Sequence, residues 1–275
     1  MQWVPAPIPI NEDRRAKAVE KTGIIGTDQV YLFDIYLEIA KDISGYEAGS
    51  FSLYDSKNQC MISEIGKPGP IERHRRADKS ASVCSYVLLD KKPLLVFDLT
   101  KHETFKYHEA VVAGLVYSYC GFPVINKDGY AMGTFCMLNF SEVKEMSTEK
   151  VELIEKLVSR LALQIDTQTE QKELTSQKIS KSIDIFKENH EAFSLIDYKN
   201  FIDICSGLDL SNESAASLIN ANLCEFNNGV VTLSPKGNEL QEKMNIVTKI
   251  HNQVKVEGNE ANSLIDNALD KLGEL

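Results

Sequence analysis

The 275-residue chain has six cysteines (Cys60, Cys84, Cys120, Cys136, Cys205 and Cys224), with no C-x-x-C pair and no regular spacing. A disulfide framework is therefore not indicated. No apolar run approaches the roughly 20 residues that a membrane-spanning helix needs. The longest, AVVAGLVY from Ala110, is short and contains a glycine. The opening MQWVPAPIPI has no basic stretch and carries three prolines, which reads as an extended arm rather than a secretion signal. Positive charge is not in excess. The net charge is −10, so a general electrostatic affinity for nucleic acid or anionic membrane is not expected. There is no internal repeat and no low-complexity tract. Together these absences predict a cytoplasmic protein. Its length and 43% hydrophobic content suit one large or two ordinary globular domains.

The most informative stretch is YCGFPVINKDGYAMGTFCMLNF, from Tyr119 to Phe140. Two apolar runs flank Asn126-Lys127-Asp128-Gly129. Asp-Gly between strand-like runs signals a hairpin, because the turn needs the positive φ that glycine adopts without steric cost. Both alternating sets of the second run are mostly apolar, which predicts a strand covered on both faces. Further strands are predicted at 49–54, 59–65 and 93–97, with a polar loop over 66–80, a short helix over 81–89 and a partly helical loop over 99–115. Helices are predicted from Asn11 to Lys21 and over 28–43. The second opens behind Thr27 and carries Val30, Phe33, Leu37 and Ala40 at helical spacing.

Ser147 is a good helix N-cap, with Met146 and Val151 at hydrophobic-staple positions. The apolar stripe Ile154, Val158, Leu161, Ile165 fades into TQTEQKELTSQK and resumes at Ile179, Ile183 and Phe186. A helix over 148–187 would be about 60 Å long, serving as a partly exposed linker or one strand of a parallel two-helix coil. Beyond it, helices over 196–206 and 211–222 lead to LCEF, Asn227-Asn228-Gly229 and VVTL, a second hairpin signal. Ser234-Pro235 starts another helix. Residues 259–272 are amphipathic (Ala261, Leu264, Ile265, Ala268, Leu269, Leu272). The predicted domains are 1–146, a connector over 147–189, and 190–275.

Three stretches resemble the GAF family of small-molecule sensor domains over about residues 11–165. They are NEDRRAKAVEKTGIIGTDQVYLFDIYLEIAKDI (11–43), SASVCSYVLLDKKPLLVFDLTKHETF (80–105) and the Tyr119–Phe140 hairpin. The resemblance implies an α+β fold, with a central antiparallel sheet flanked by helices. It further implies a pocket between the sheet and the 80–118 segment. Its candidate lining residues are Phe51, Cys84, Tyr86, Phe97, Asp98, Phe105, His108, Tyr117 and Tyr119. Three positions depart from the pattern of many relatives: Tyr86 replaces a His, Lys79 an Arg and Asn139 an Asp.

Each candidate has a bland reading beside the functional one. Cys84 heads a short helix, where a thiol becomes more acidic, or it is a small buried hydrophobe. Cys120 and Cys136 read as core fillers. His102 and His108 have no companions at ligand spacing and read as surface-loop histidines, so no metal is expected. Asp98 reads as a loop cap. Phe51, Phe97, Phe122, Tyr117 and Tyr119 are core or pocket wall. The basic run Arg73, His74, Arg75, Arg76 and Lys79 could attract an anion or simply be solvated. One GAF-fold enzyme, free methionine sulfoxide reductase, uses pocket thiols; by that resemblance Cys84 and Cys120 would be the pair, although Cys120 falls in a strand.

In the C-terminal lobe, the order helix, helix, hairpin, helix, together with LSPKG, resembles a small winged-helix domain. DNA reading needs basic residues on the recognition helix and wing. The stretch from Asn212 to Leu223 has none, and from Glu191 onward there are six Lys, no Arg and thirteen acidic residues. A protein contact is preferred there. The favoured reading is a non-catalytic cytoplasmic sensor that binds an unidentified small molecule, forms a homodimer through the connector and contacts a partner protein through the C-terminal lobe. The alternatives are a DNA-binding regulator and a thiol enzyme.

Overall fold

The computed structural model describes residues 2–66, 75–189 and 194–245. Arg73 and His74 of the basic run, and the amphipathic stretch 259–272, lie outside the described residues. The chain divides into two compact units, residues 1–173 and 174–275. The division falls inside one long helix. Among the described residues, no helix is long and apolar enough to cross a membrane.

In the first unit, α1 (Glu12–Thr22) carries Glu12 and Asp13 in its first turn and stops at Gly23, which takes φ +58°. The helix predicted over 28–43 is split. A 3-10 turn spans Asp28–Phe33, and α2 runs Asp34–Ser44. The Thr27 hydroxyl donates back to Ile24 O (2.9 Å) and makes no cap, so no α-helix starts behind it. Strands β1 (Ala48–Tyr54) and β2 (Asn58–Ile65) follow, and then β3 (Arg76–Asp78), a short exposed edge strand within the predicted polar loop. Its backbone pairs with β2, Cys60 opposite Arg76. A 3-10 helix covers Val83–Leu89, β4 covers Leu94–Val96, and α3 covers Glu109–Val112. The predicted hairpin is β5 (Ser118–Ile125) and β6 (Ala131–Asn139). At its turn Gly129 has φ +82°, and Asn126 Oδ1 accepts the Tyr130 N–H at 2.8 Å.

All pairs in the sheet are antiparallel, and the strand order is β3-β2-β1-β6-β5-β4. Side chains alternate between its faces. One face is covered by α1, α2 and the first half of α4 (Thr148–Asn189). There Phe33, Leu37, Phe51, Leu53, Phe122, Phe135 and Met137 pack with Ile154, Val158, Leu161 and Ile165. Met146 and Val151 join that core, as the staple predicts. The other face is covered by the segment from Lys79 to Val116, hereafter the roof. Val87, Leu99, Phe105 and Val111 pack there on Tyr119 and Cys136.

The second unit holds the latter part of α4, then α5 (Leu195–Cys205), α6 (Asn212–Asn220), the hairpin β7 (Cys224–Asn227) and β8 (Val230–Leu233), and α7 (Pro235–Met244). Ser194 forms a full capping box with Asp197, and Pro235 takes the first turn of α7 behind Ser234. Its core gathers Phe186, Phe201, Leu218, Leu223, Val231 and Leu240. In α4 the inward positions here are Ser182, Ile185 and Phe186, while Ile179 is exposed.

Candidate functional site

The roof does not close flush on the sheet. A cavity of about 410 Å³ separates them. Its floor is Gln59 from β2, Tyr119 from β5 and Leu138 from β6. Its opposite wall is Val83 and Cys84 from the 3-10 helix, Leu99, and His108 at the start of α3. Leu115 and Val116 close one side. The lining mixes apolar surface with a few polar groups, the usual make-up of a small-molecule site.

The roof approaches β5 closely because position 121 is glycine. A Cβ there would lie 2.6 Å from Val87 Cγ2 and 2.4 Å from the Tyr119 hydroxyl. Ser82 accepts the Cys84 N–H at 3.2 Å and so starts the 3-10 helix. His108 is committed on both ring nitrogens: Nδ1 accepts the Ala110 N–H at 3.2 Å, and Nε2 is 3.0 Å from Ala81 O. His102 likewise accepts the Thr104 and Phe105 N–H groups through Nδ1. Among the described residues, no cluster of three or more His, Cys, Asp or Glu could hold a metal.

Of the nine residues predicted to line the site, Cys84, His108 and Tyr119 face this cavity. Tyr86 and Phe105 belong to the roof's own aromatic cluster (ring centroids 5.0 Å apart), which Trp3 of the N-terminal arm joins. Phe51 lies on the opposite face, against Phe33, because the β1 register turns odd-numbered positions toward the helices. Phe97 packs at the edge of that same helix-side core. Asp98 holds the following turn, accepting from the Thr100 N–H (3.1 Å) and pairing with Lys101 (2.9 Å), and these contacts keep its carboxyl below the usual range. Tyr117 donates its N–H to Asn139 O at 2.9 Å, extending the β5–β6 ladder. Gln59, Leu99, Leu115, Val116 and Leu138 were not anticipated. The alternation along β6, which puts Leu138 on the same face as Cys136, was the available signal for one of them.

The pairing of thiols also differs from expectation. Cys136 Sγ is 3.3 Å from Cys84 Sγ, and Tyr119 OH is 3.0 Å from Cys136 Sγ. Cys120 faces the helices, where its sulfur meets Tyr46 OH at 3.4 Å. Adjacent positions on a strand point to opposite faces, so Cys120 cannot share the Tyr119 side. Burial raises the thiols of Cys136 and Cys120, the latter to about 11. It also holds the Tyr119 phenol neutral. Tyr54, packed against Cys84, and Thr134, beside Cys136, are fully buried. Neither hydroxyl meets a partner at hydrogen-bond geometry.

A second cavity of about 270 Å³ lies between α4 and the β4–β5 edge, bordered by Pro93, Pro123 and Val158. It contains none of the nine residues predicted to line the site, although Phe122, read from sequence as core or pocket wall, borders it.

Comparison with solved structures returns the GAF domain of PixJ from Thermosynechococcus elongatus in its blue-light absorbing form. That domain is 13% identical, and the match covers 62% of this chain and 96% of that one, with a TM-score of 0.44. The GAF domain of a phosphoenolpyruvate-protein phosphotransferase from Acinetobacter is 16% identical, with 58% and 91% coverage and a TM-score of 0.42. No curated protein matches the chain. The family model described as the GAF domain matches residues 28–166, just over half of the sequence, and includes all six strands of the larger sheet and the whole roof of the cavity. The chain belongs to the GAF domain family.

Proposed function

We propose that this protein is a non-catalytic sensory or regulatory protein whose cavity binds a small molecule and whose long helix carries the response. The observation that bears the reading is the cavity itself. A space of about 410 Å³ is held open between a rigid sheet and a roof built from 3-10 turns and loops. The hydrogen bonds of short 3-10 turns have poorer geometry than those of an α-helix, so a roof of this kind can settle into more than one packing when a guest arrives. Gln59 places an amide side chain on the floor, and the leucines and valines of the walls suit a guest with an apolar body. His102 and His108 are engaged in holding the roof, which favours binding over acid–base chemistry.

Signal transfer would use α4, whose first half is part of the helix-side core. A ligand acts on it only by favouring one of two discrete packings. Exposed Leu153 and Leu163 on α4, with Ile35 and Ile39 on α2, support a second copy of the chain as a neighbour. In the C-terminal unit, Phe226 and Val230 are exposed on the β7–β8 hairpin, and α6 has no basic residue. That combination favours a protein partner over DNA. A gel shift that weakened with added salt would favour DNA instead. The protein is placed in the cytoplasm on this reading.

Native mass spectrometry of freshly purified protein is the test, followed by thermal-shift screening of small metabolites. A stoichiometric copurified guest, or a stabilising compound, is expected, and Leu115→Trp, a change at an exposed wall position, should remove it. A wild-type chain that carries no guest and is stabilised by no compound that Leu115→Trp excludes would overturn the reading.

A further inference from the structure

The cavity wall carries a feature that the ligand reading does not use. Cys84 and Cys136 are both in the reduced, thiol form, with their sulfurs 3.3 Å apart. A disulfide needs about 2.05 Å between sulfurs. The gap is small, and the two partners sit on elements of very different stiffness. Cys136 is in the middle of β6, fully buried and backbone-paired on both sides, opposite Ser50 of β1 and Gly121 of β5. Cys84 is in the first turn of a 3-10 helix, half-buried and open to the cavity. A shift of the roof alone can close the distance.

The pair is asymmetric in access. A reagent in the cavity can reach Cys84, whereas Cys136 lies behind it. This is the arrangement of an attacking thiol with a resolving thiol at its back. We propose that Cys84 and Cys136 form a redox-active dithiol that closes to a disulfide when a small-molecule disulfide enters the cavity, fastening the roof to the central strand.

The Cys84 thiolate attacks one sulfur of RSSR, forming Cys84–S–S–R and releasing RS⁻, which takes up the proton that Cys84 lost. Cys136 then attacks the Cys84 sulfur, forming the protein disulfide and expelling the second RS⁻, which takes up the Cys136 proton. Two protein thiols are oxidised, and RSSR is reduced to two RSH. The Tyr119 phenol at 3.0 Å can donate a hydrogen bond to the Cys136 sulfur as it loses its proton. Burial holds that thiol protonated near neutrality, so the second step should quicken with rising pH. Other pairings are disfavoured by position. Cys120 is on the far face, and Cys60 is engaged with Asp55 at 3.6 Å. The inference goes beyond the sensory reading and holds whether or not another ligand uses the cavity.

The test is exposure of the full chain to oxidised glutathione, followed by non-reducing digestion and peptide mass spectrometry. The expected product is an intramolecular Cys84–Cys136 link, reversed by dithiothreitol and formed faster at pH 9 than at pH 7. Cys136→Ala should instead accumulate glutathione on Cys84, and Cys84→Ser should show neither product. Cys136→Ala opens space in the core and could fail to fold. The wild-type link, together with Cys84→Ser at a half-buried site, therefore decides the matter without it. Folded wild-type protein that forms no Cys84–Cys136 link, that retains glutathione on Cys84 unresolved, or that links Cys205 to Cys224 alone would overturn the proposal.

Discussion

The two faces of the first unit's sheet are made from the same strands yet differ in chemistry. Toward the helices, β1, β5 and β6 present Phe51, Leu53, Cys120, Phe122, Val124, Phe135 and Met137, a nearly all-apolar surface. Toward the roof they present Ser50, Ser52, Tyr54, Tyr119, Thr134 and Cys136, all buried. Gln59 donates to Ser52 at 3.0 Å, but the buried hydroxyls of Tyr54 and Thr134 have only each other, Ser82 and the Cys136 thiol as polar neighbours, none at good hydrogen-bond geometry. Burying hydroxyls without partners costs stability, so the roof side is not optimised for holding the fold together. The helix side supplies the stability that this second surface draws on.

The sharpest way to break this contrast is to cut into the helix side. Phe135→Ala should destabilise the first unit by about 3–5 kcal/mol, measured by urea unfolding. A loss below about 1 kcal/mol would mean that this face is not the main source of stability. Next in size is Gly121→Ala, which places a methyl against Val87 and Tyr119. It should cost about 1–3 kcal/mol, the range for overpacking. Hydrogen exchange should show the loss of protection concentrated in Val83–Leu89. Smallest is Thr134→Val, which keeps the shape and removes an unpartnered hydroxyl. Stability should stay level or rise by about 1 kcal/mol. A fall of more than about 1 kcal/mol would show that the hydroxyl is already satisfied and that the contrast between the faces is overstated.

Much of this architecture was legible in the residues. Asp128-Gly129 and Asn228-Gly229 announced both hairpins, because their turns require positive φ. The stripe from Ile154 to Ile165 announced which part of α4 is buried, and Ser234-Pro235 announced the start of α7. The quoted segments pointed to the GAF family, which the family match to residues 28–166 shows. The edge strand β3 was not legible, since a three-residue charged strand has no apolar period to detect. Nor was the break in the helix predicted over 28–43, which depends on where the Thr27 hydroxyl turns.

The candidate site was less legible than the fold. Its cavity is lined from β2, β5, β6 and the roof, whose meeting is set by sheet order and not by proximity in sequence. The Cys84–Cys136 contact shows why. On a strand buried on both faces, hydrophobicity does not tell which face is which. Only the alternation that separates Tyr119 from Cys120 could have removed Cys120 as a partner, and only a known neighbour for Cys84 could have supplied Cys136.

The N-terminal arm leaves one practical legacy. Trp3 is the sole tryptophan in the sequence; its indole donates to Ser80 O at 3.3 Å and meets the His108 ring edge-on at 4.8 Å. Because His108 also forms part of the cavity wall, the molecule carries its own optical reporter at the roof. Intrinsic emission excited at the indole band will register any displacement of that wall without a dye, a label or a second fluorophore to subtract.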